Sequence, residues 1–212
     1  MIDLYTWHTP NGRKVSIMLE EIGMDYKVFP INIAKDEQFQ PHFLEISPNN
    51  RIPAIIDKNN NNYSLFESGA ILMYLAEKSG KLINKSNSDE YFRTMEWLMW
   101  QMGGVGPMFG QVHHFVKYNK GKSAYAEERY SKEARRLYGV MDKRLSVNPY
   151  IAGKEYSIAD ISIWPWTARF DWQEIDLNEF PNVARWYKEM IDRPAVQKGW
   201  LVPENDQLIP SI

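Results

Sequence analysis

The hydrophobic period of this chain changes once, near residue 80, and that change limits what it can become. Up to that point strand-like and helix-like runs alternate; beyond it the strand signal stops. "MIDLYTW" (1–7) reads as a short strand. Residues 11–22 read as a helix with Val15, Met18, Leu19 and Ile22 at i, i+3, i+4 and i+7. "YKVFPINI" (26–33) is a second strand, and "QPHFLEIS" a short helix stopped before Pro48. "IPAIIDKNNNNYSLFES" holds two apolar runs divided by four asparagines, the pattern of a hairpin. "SGAILMYLAEKSG" (68–80) is helical, with Ile71, Leu72 and Leu75 inward and Gly80 as its C-cap. The order β-α-β-α-β-β-α predicts a small α/β domain over residues 1–80. A polar linker, 81–88, follows, and then an all-helical domain over 89–212. Its helical candidates are 89–102, 124–147, 158–170 and 180–192; Tyr130, Ala134, Leu137 and Met141 repeat at helical spacing in the second, Val183, Tyr187 and Met190 in the last.

Composition narrows the function classes. Hydrophobic residues are 44% and charged residues 25% of 212, enough to bury a real core as a soluble globule. A net charge of −2 gives no electrostatic footprint for nucleic acid or an anionic membrane. No run approaches the ~18 apolar residues of a membrane span, and the start lacks a basic region and long apolar run, so a cytoplasmic setting is expected. Cysteine is absent, which excludes disulfides, thiolate metal sites and a redox pair belonging to the protein.

Three turns stand out. Thr9-Pro10 suits the start of a helix, Thr as N-cap and Pro as first helical residue. The same helix end also stabilises anions, and Asn11 adds an amide donor that capping does not need. In "NRIPAI" (50–55) the proline can simply open a strand; alternatively, the exposed peptide of Ile52 can pair with a peptide-like ligand. In "LFESGAIL" (65–72) Ser68 is a candidate N-cap. The sharper alternative is an amino-acid clamp, Ser68 for an α-carboxylate and Glu67 for an α-ammonium. Ser157-x-x-Asp160 reads as a capping box, a structural role. His113 and His114 are adjacent, face different ways on a helix and have no acidic partner at ligand spacing, so no metal site is expected. The tryptophans at 97, 100, 164, 166 and 186 read as core rather than a base-stacking platform.

These turns, in this order, resemble the glutathione transferase family over essentially the whole chain. "TPNG", "QFQPHFLEISPNNRIPAI", "LFESGAILMYLAEK", "GGVGPMFGQVHHF" and "YSIADISIWPW" are similar to the bacterial nu class. That group comprises disulfide-bond oxidoreductases related to the globular domain of the fungal nitrogen regulator. The resemblance implies a thioredoxin-like N-terminal domain, a helical C-terminal domain and a homodimer that binds glutathione. It also implies site residues. Thr9 and Asn11 would approach the glutathione sulfur. Ile52, before a cis Pro53, would pair with the cysteinyl unit, and Glu67 and Ser68 would hold the γ-glutamyl end. Gln38, Arg51 and Arg129 would complete the cofactor contacts, with no metal. Unlike many transferase classes, this chain has no Tyr, Ser or Cys in its first turn.

The reactive sulfur is therefore expected to arrive with the cofactor. A thiol of pKa ~8.5 is only ~3% ionised at pH 7, and lowering it to ~6.5 takes about 2.7 kcal/mol. A helix N-terminus contributes ~0.3–1 kcal/mol and a hydrogen bond to a charged group ~1.5–3 kcal/mol, so no protein base is required. The expected activity is glutathione-dependent reduction of a small disulfide. Conjugation of electrophiles, peroxide reduction and a non-enzymatic binding role are the alternatives.

Overall fold

Alternation along β1 (Ile2–Thr6) sends its residues to two faces: Ile2 and Leu4 are fully buried on one, and Tyr5 joins Phe43 on the other. The computed structural model describes residues 1–212, which divide into two compact units. The first comprises Met1–Lys81 and Asp192–Ile209, the second Leu82–Ile191 and Pro210–Ile212.

In the first unit, β1 is followed by α1 (Pro10–Ile22), β2 (Tyr26–Pro30), α2 (Pro41–Leu44), β3 (Ala54–Asp57), β4 (Tyr63–Phe66) and α3 (Ser68–Ser79). The sheet order is β2-β1-β3-β4, with β1 parallel to β2 and antiparallel to β3. This is the thioredoxin-like domain that the resemblance implied. β2 is shorter than the predicted 26–33: Pro30 has no N–H to continue the ladder, and a short 3-10 turn follows at Ile33–Lys35. Val15, Ile17, Met18 and Leu19 of α1 are fully buried, each stabilising the fold by roughly 1.5–3 kcal/mol.

In the second unit, α4 (Ser88–Trp100) starts at Asn87, whose side chain accepts the Asp89 and Glu90 N–H groups. A π-helical stretch, Gln101–Val105, connects it to α5 (Gly106–Val112), and a second, His113–Tyr118, follows. Helical structure here continues past the expected end at 102. Pro107 lacks an N–H and crowds the carbonyl four residues back, so the helix widens instead of stopping. Next come α6 (Ala124–Leu145), α7 (Ile158–Thr167) and α8 (Pro181–Ile191). Every residue of α7 is buried, and the Ser157–Asp160 capping box is formed. The Asp160 carboxylate is fully buried; it accepts Ile151 N–H at 2.9 Å, Ser157 N–H at 3.0 Å and Trp186 Nε1–H at 2.9 Å. Trp164, Trp166 and Trp186 are core, whereas Trp97 and Trp100 are only half-buried and meet edge to face at 5.1 Å.

The expected helical domain of 89–212 differs at its end. α9 (Pro194–Trp200) belongs to the first unit, packed on α1. Gly199 explains the fit: a Cβ there would lie 2.6 Å from the backbone N and Cα of Ile17. No helix is long and apolar enough to cross a membrane.

Candidate functional site

β1 ends at Thr6, and the chain turns through Trp7 and His8 into Thr9. Thr9 is extended (φ −103°, ψ 164°), and its Oγ1 accepts the Gly12 N–H at 3.2 Å, with Pro10 as the first helical residue. Capping and ligand binding are compatible on this hydroxyl, because capping uses an oxygen lone pair and leaves the proton to donate. Gly12 allows the first turn of α1 to press against the strand end. A Cβ there would lie 2.1 Å from the Trp7 carbonyl oxygen and 2.5 Å from Thr6 Oγ1. Asn11, half-buried, lies on the same turn.

Strand register brings the other two turns to this end. Tyr5 of β1 pairs with Ala54 of β3, and Ala54 pairs with Phe66 of β4. The end of β1, the start of β3 and the end of β4 are thus neighbours across the sheet. The Ile52–Pro53 peptide is cis. Ile52 lies outside the β3 ladder, and its N–H and C=O enter no backbone hydrogen bond. That peptide is a short open edge where an extended ligand can pair.

Beside it, Glu67 has φ 70° and ψ 112°, a left-handed conformation that costs a non-glycine residue ~1–3 kcal/mol and clusters at functional sites. Glu67, not Ser68, is the N-cap of α3, and it makes no side-chain capping bond. The left-handed turn puts Glu67 outside the helix, so Ser68 becomes the first helical residue. Its hydroxyl oxygen instead accepts from Lys14 Nζ at 3.2 Å.

Lys14 is the residue that sequence reasoning missed. It is 1% exposed, and burial lowers its pKa to about 7, partly offset by the Glu67 carboxylate. A signal was present: Lys14 stands in line with Ile17 and Met18, at i+3 and i+4 on the buried side of α1.

The remaining predicted residues divide between the units. Gln38, 8% exposed, lies in the short 3-10 turn Glu37–Phe39; its Oε1 is buried and accepts no hydrogen bond. Arg51 is exposed, with Nη1 donating to Asn50 Oδ1 at 3.0 Å. Arg129 belongs to the second unit. It is exposed on α6 and lines a groove of about 620 Å³ with Met108, Tyr125 and Tyr130.

The first unit therefore carries a capped helix start, an open peptide edge and a Glu-Ser turn at one end of its sheet. Known proteins share this chain's pattern over nearly its whole length. Residues 1–77 match the glutathione S-transferase N-terminal domain, and residues 104–194 the C-terminal domain. The disulfide-bond oxidoreductase YfcG of Escherichia coli is 47% identical over 205 residues, 95% of each chain. A glutathione transferase family member from Pseudomonas fluorescens, solved with two glutathione bound, is 45% identical with a TM-score of 0.91, covering 95% of this chain and 93% of that one. A glutathione transferase from Pseudomonas putida, solved with one glutathione disulfide bound per subunit, is 44% identical with a TM-score of 0.89, covering 95% and 91%. With both domain patterns in order and relatives matched over more than nine-tenths of their length, the chain belongs to the glutathione S-transferase family.

Proposed function

We propose that this protein binds glutathione and reduces small disulfides by thiol–disulfide exchange. The observation that carries the proposal is the Thr9 hydroxyl. It caps α1 through its oxygen and retains a proton to donate, beside Asn11, in a chain with no cysteine of its own. Bound glutathione supplies the nucleophilic sulfur; overall, two glutathiones give their hydrogens to one disulfide and leave as glutathione disulfide.

The residues present fit the tripeptide. The open Ile52 peptide suits an extended backbone. The Gln38 Oε1, buried without a donor, suits a ligand N–H. Glu67 and Ser68 offer opposite chemistries to an α-amino-acid end, the carboxylate accepting from an ammonium and the hydroxyl donating to a carboxylate. Thr9, Asn11 and the α1 N-terminus favour the anionic form of a thiol without a protein base. Arg51 and Arg129 are proposed as further contacts, with direct charge attraction to ligand carboxylates. Relatives solved with glutathione or its disulfide support the same reading.

The test is steady-state reduction of bis(hydroxyethyl) disulfide by glutathione, alongside conjugation of an aromatic halide. Faster turnover of the disulfide, lost in Thr9→Ala and Asn11→Ala, is expected. Disulfide turnover unchanged in both variants, or confined to the halide, overturns the proposal.

A further inference from the structure

A methionine or leucine would fill the place of Lys14 without the cost of burying an ammonium. The position is doubly unfavourable for a cation. Lys14 is buried, and its Nζ contacts the first residue of α3, where the helix dipole is also positive. Glu67, one residue earlier, returns some negative charge from its exposed carboxylate. An anion seated at Ser68 would add to it.

We propose that Lys14 is a positioning residue of the γ-glutamyl subsite. It holds the Ser68 hydroxyl by donating to its oxygen, and it meets the ligand's α-carboxylate with a positive charge from beneath. The inference rests on the reading of Glu67 and Ser68 as the γ-glutamyl clamp. The Lys14 ammonium donates to Ser68 Oγ at 3.2 Å, which puts the positive charge within hydrogen-bond reach of the side chain that would meet the carboxylate.

Proton uptake follows. In the ligand-free protein burial leaves Lys14 near half-protonated at neutral pH. A bound carboxylate favours the charged form, so binding above neutrality draws a proton from solvent and weakens as pH rises. Glu67 is the charged group acting on Lys14, and other charged groups of the surrounding elements are engaged elsewhere. Arg13 is bound to Trp200 and Gln207, Glu20 to Tyr26, Glu21 to Arg193, and Lys78 to Asp57. Glu77 of α3 and Lys198 of α9 are exposed. His8, in the β1–α1 turn, is a second titratable group at this end, and replacing Lys14 separates the two.

Calorimetric titration with S-methylglutathione tests the inference, because this thioether has no thiol to titrate. The wild-type protein is expected to lose about tenfold in affinity between about pH 6 and about pH 8, with proton uptake seen as a buffer-dependent heat. Lys14→Met is expected to bind at least tenfold more weakly at about pH 6, without proton uptake, while its ligand-free thermal midpoint does not fall. Lys14→Arg, which stays charged, is expected to flatten the pH profile. Wild-type binding with no proton uptake overturns the inference alone, even if a variant fails to fold, and so does unchanged affinity in Lys14→Met. No wild-type binding at any pH overturns the clamp reading and the inference with it.

Discussion

The guanidinium of Arg13 lies over the indole of Trp200, 3.4 Å from the ring centroid, and its Nε donates to the Trp200 carbonyl at 3.1 Å. Both residues are buried, so the pair joins α1 to α9 through packing as much as charge. Trp200→Ala removes the stacking face and leaves a cavity beside a buried cation. A loss of about 3–5 kcal/mol is expected, read from the urea midpoint of unfolding. Gly199→Ala, which drives a methyl into the Ile17 backbone, is also expected to lower that midpoint.

Removing the donors at the start of α1 should affect the bound thiol. Each hydrogen bond to a charged sulfur stabilises it by ~1.5–3 kcal/mol, so Asn11→Ala or Thr9→Ala is expected to raise the glutathione thiol pKa by at least one unit. Thiolate absorbance of the complex measures this directly. Thr9→Ala also loses the cap, about 1 kcal/mol of stability, whereas Thr9→Ser keeps both functions.

Lys14 also governs a pH dependence of stability. Its folded pKa of about 7 lies below its usual value of 10.5, so between these values the unfolded chain binds a proton that the folded one does not. Ligand-free stability therefore rises with pH from about 7, by up to ~1.4 kcal/mol per unit, relative to Lys14→Met. Urea unfolding of both proteins at several pH values checks the difference. A flat difference curve would contradict it.

Asp160 tests the helical unit. Asp160→Ala strips an acceptor from the Ile151 and Ser157 N–H groups and from the Trp186 indole, all buried. At ~1–3 kcal/mol for each stranded donor, a loss of about 3 kcal/mol or more is expected in thermal or urea unfolding.

Much of this architecture was legible because it follows local rules. The apolar stripe of α1, the Thr9 cap, the Asn-rich hairpin and the Ser157–Asp160 box each lie within a few adjacent residues. The misses share a different cause. Lys14 carries a polar label, and only its contact with Ser68 from another helix shows why it is buried. Ser68 looks like a cap until the left-handed turn of Glu67 is known. The helical structure at 101–118 was hidden by Gly103, Gly104 and Pro107, residues that normally end helices, here absorbed by π-helical turns. α9 is a helix of seven residues that the apolar spacing did not pick out, and nothing local assigns it to α1, nearly two hundred positions earlier.

That assignment has a consequence for synthesis. The chain leaves its first unit at Lys81 and returns to it at Asp192. A nascent polypeptide that has emerged only as far as α3 still exposes the side of α1 that Gly199 and Trp200 will cover. This unit is therefore begun first but completed only after Leu82–Ile191 of the second has been made. A fragment cut after residue 81 would be an unfinished body rather than a minimal one.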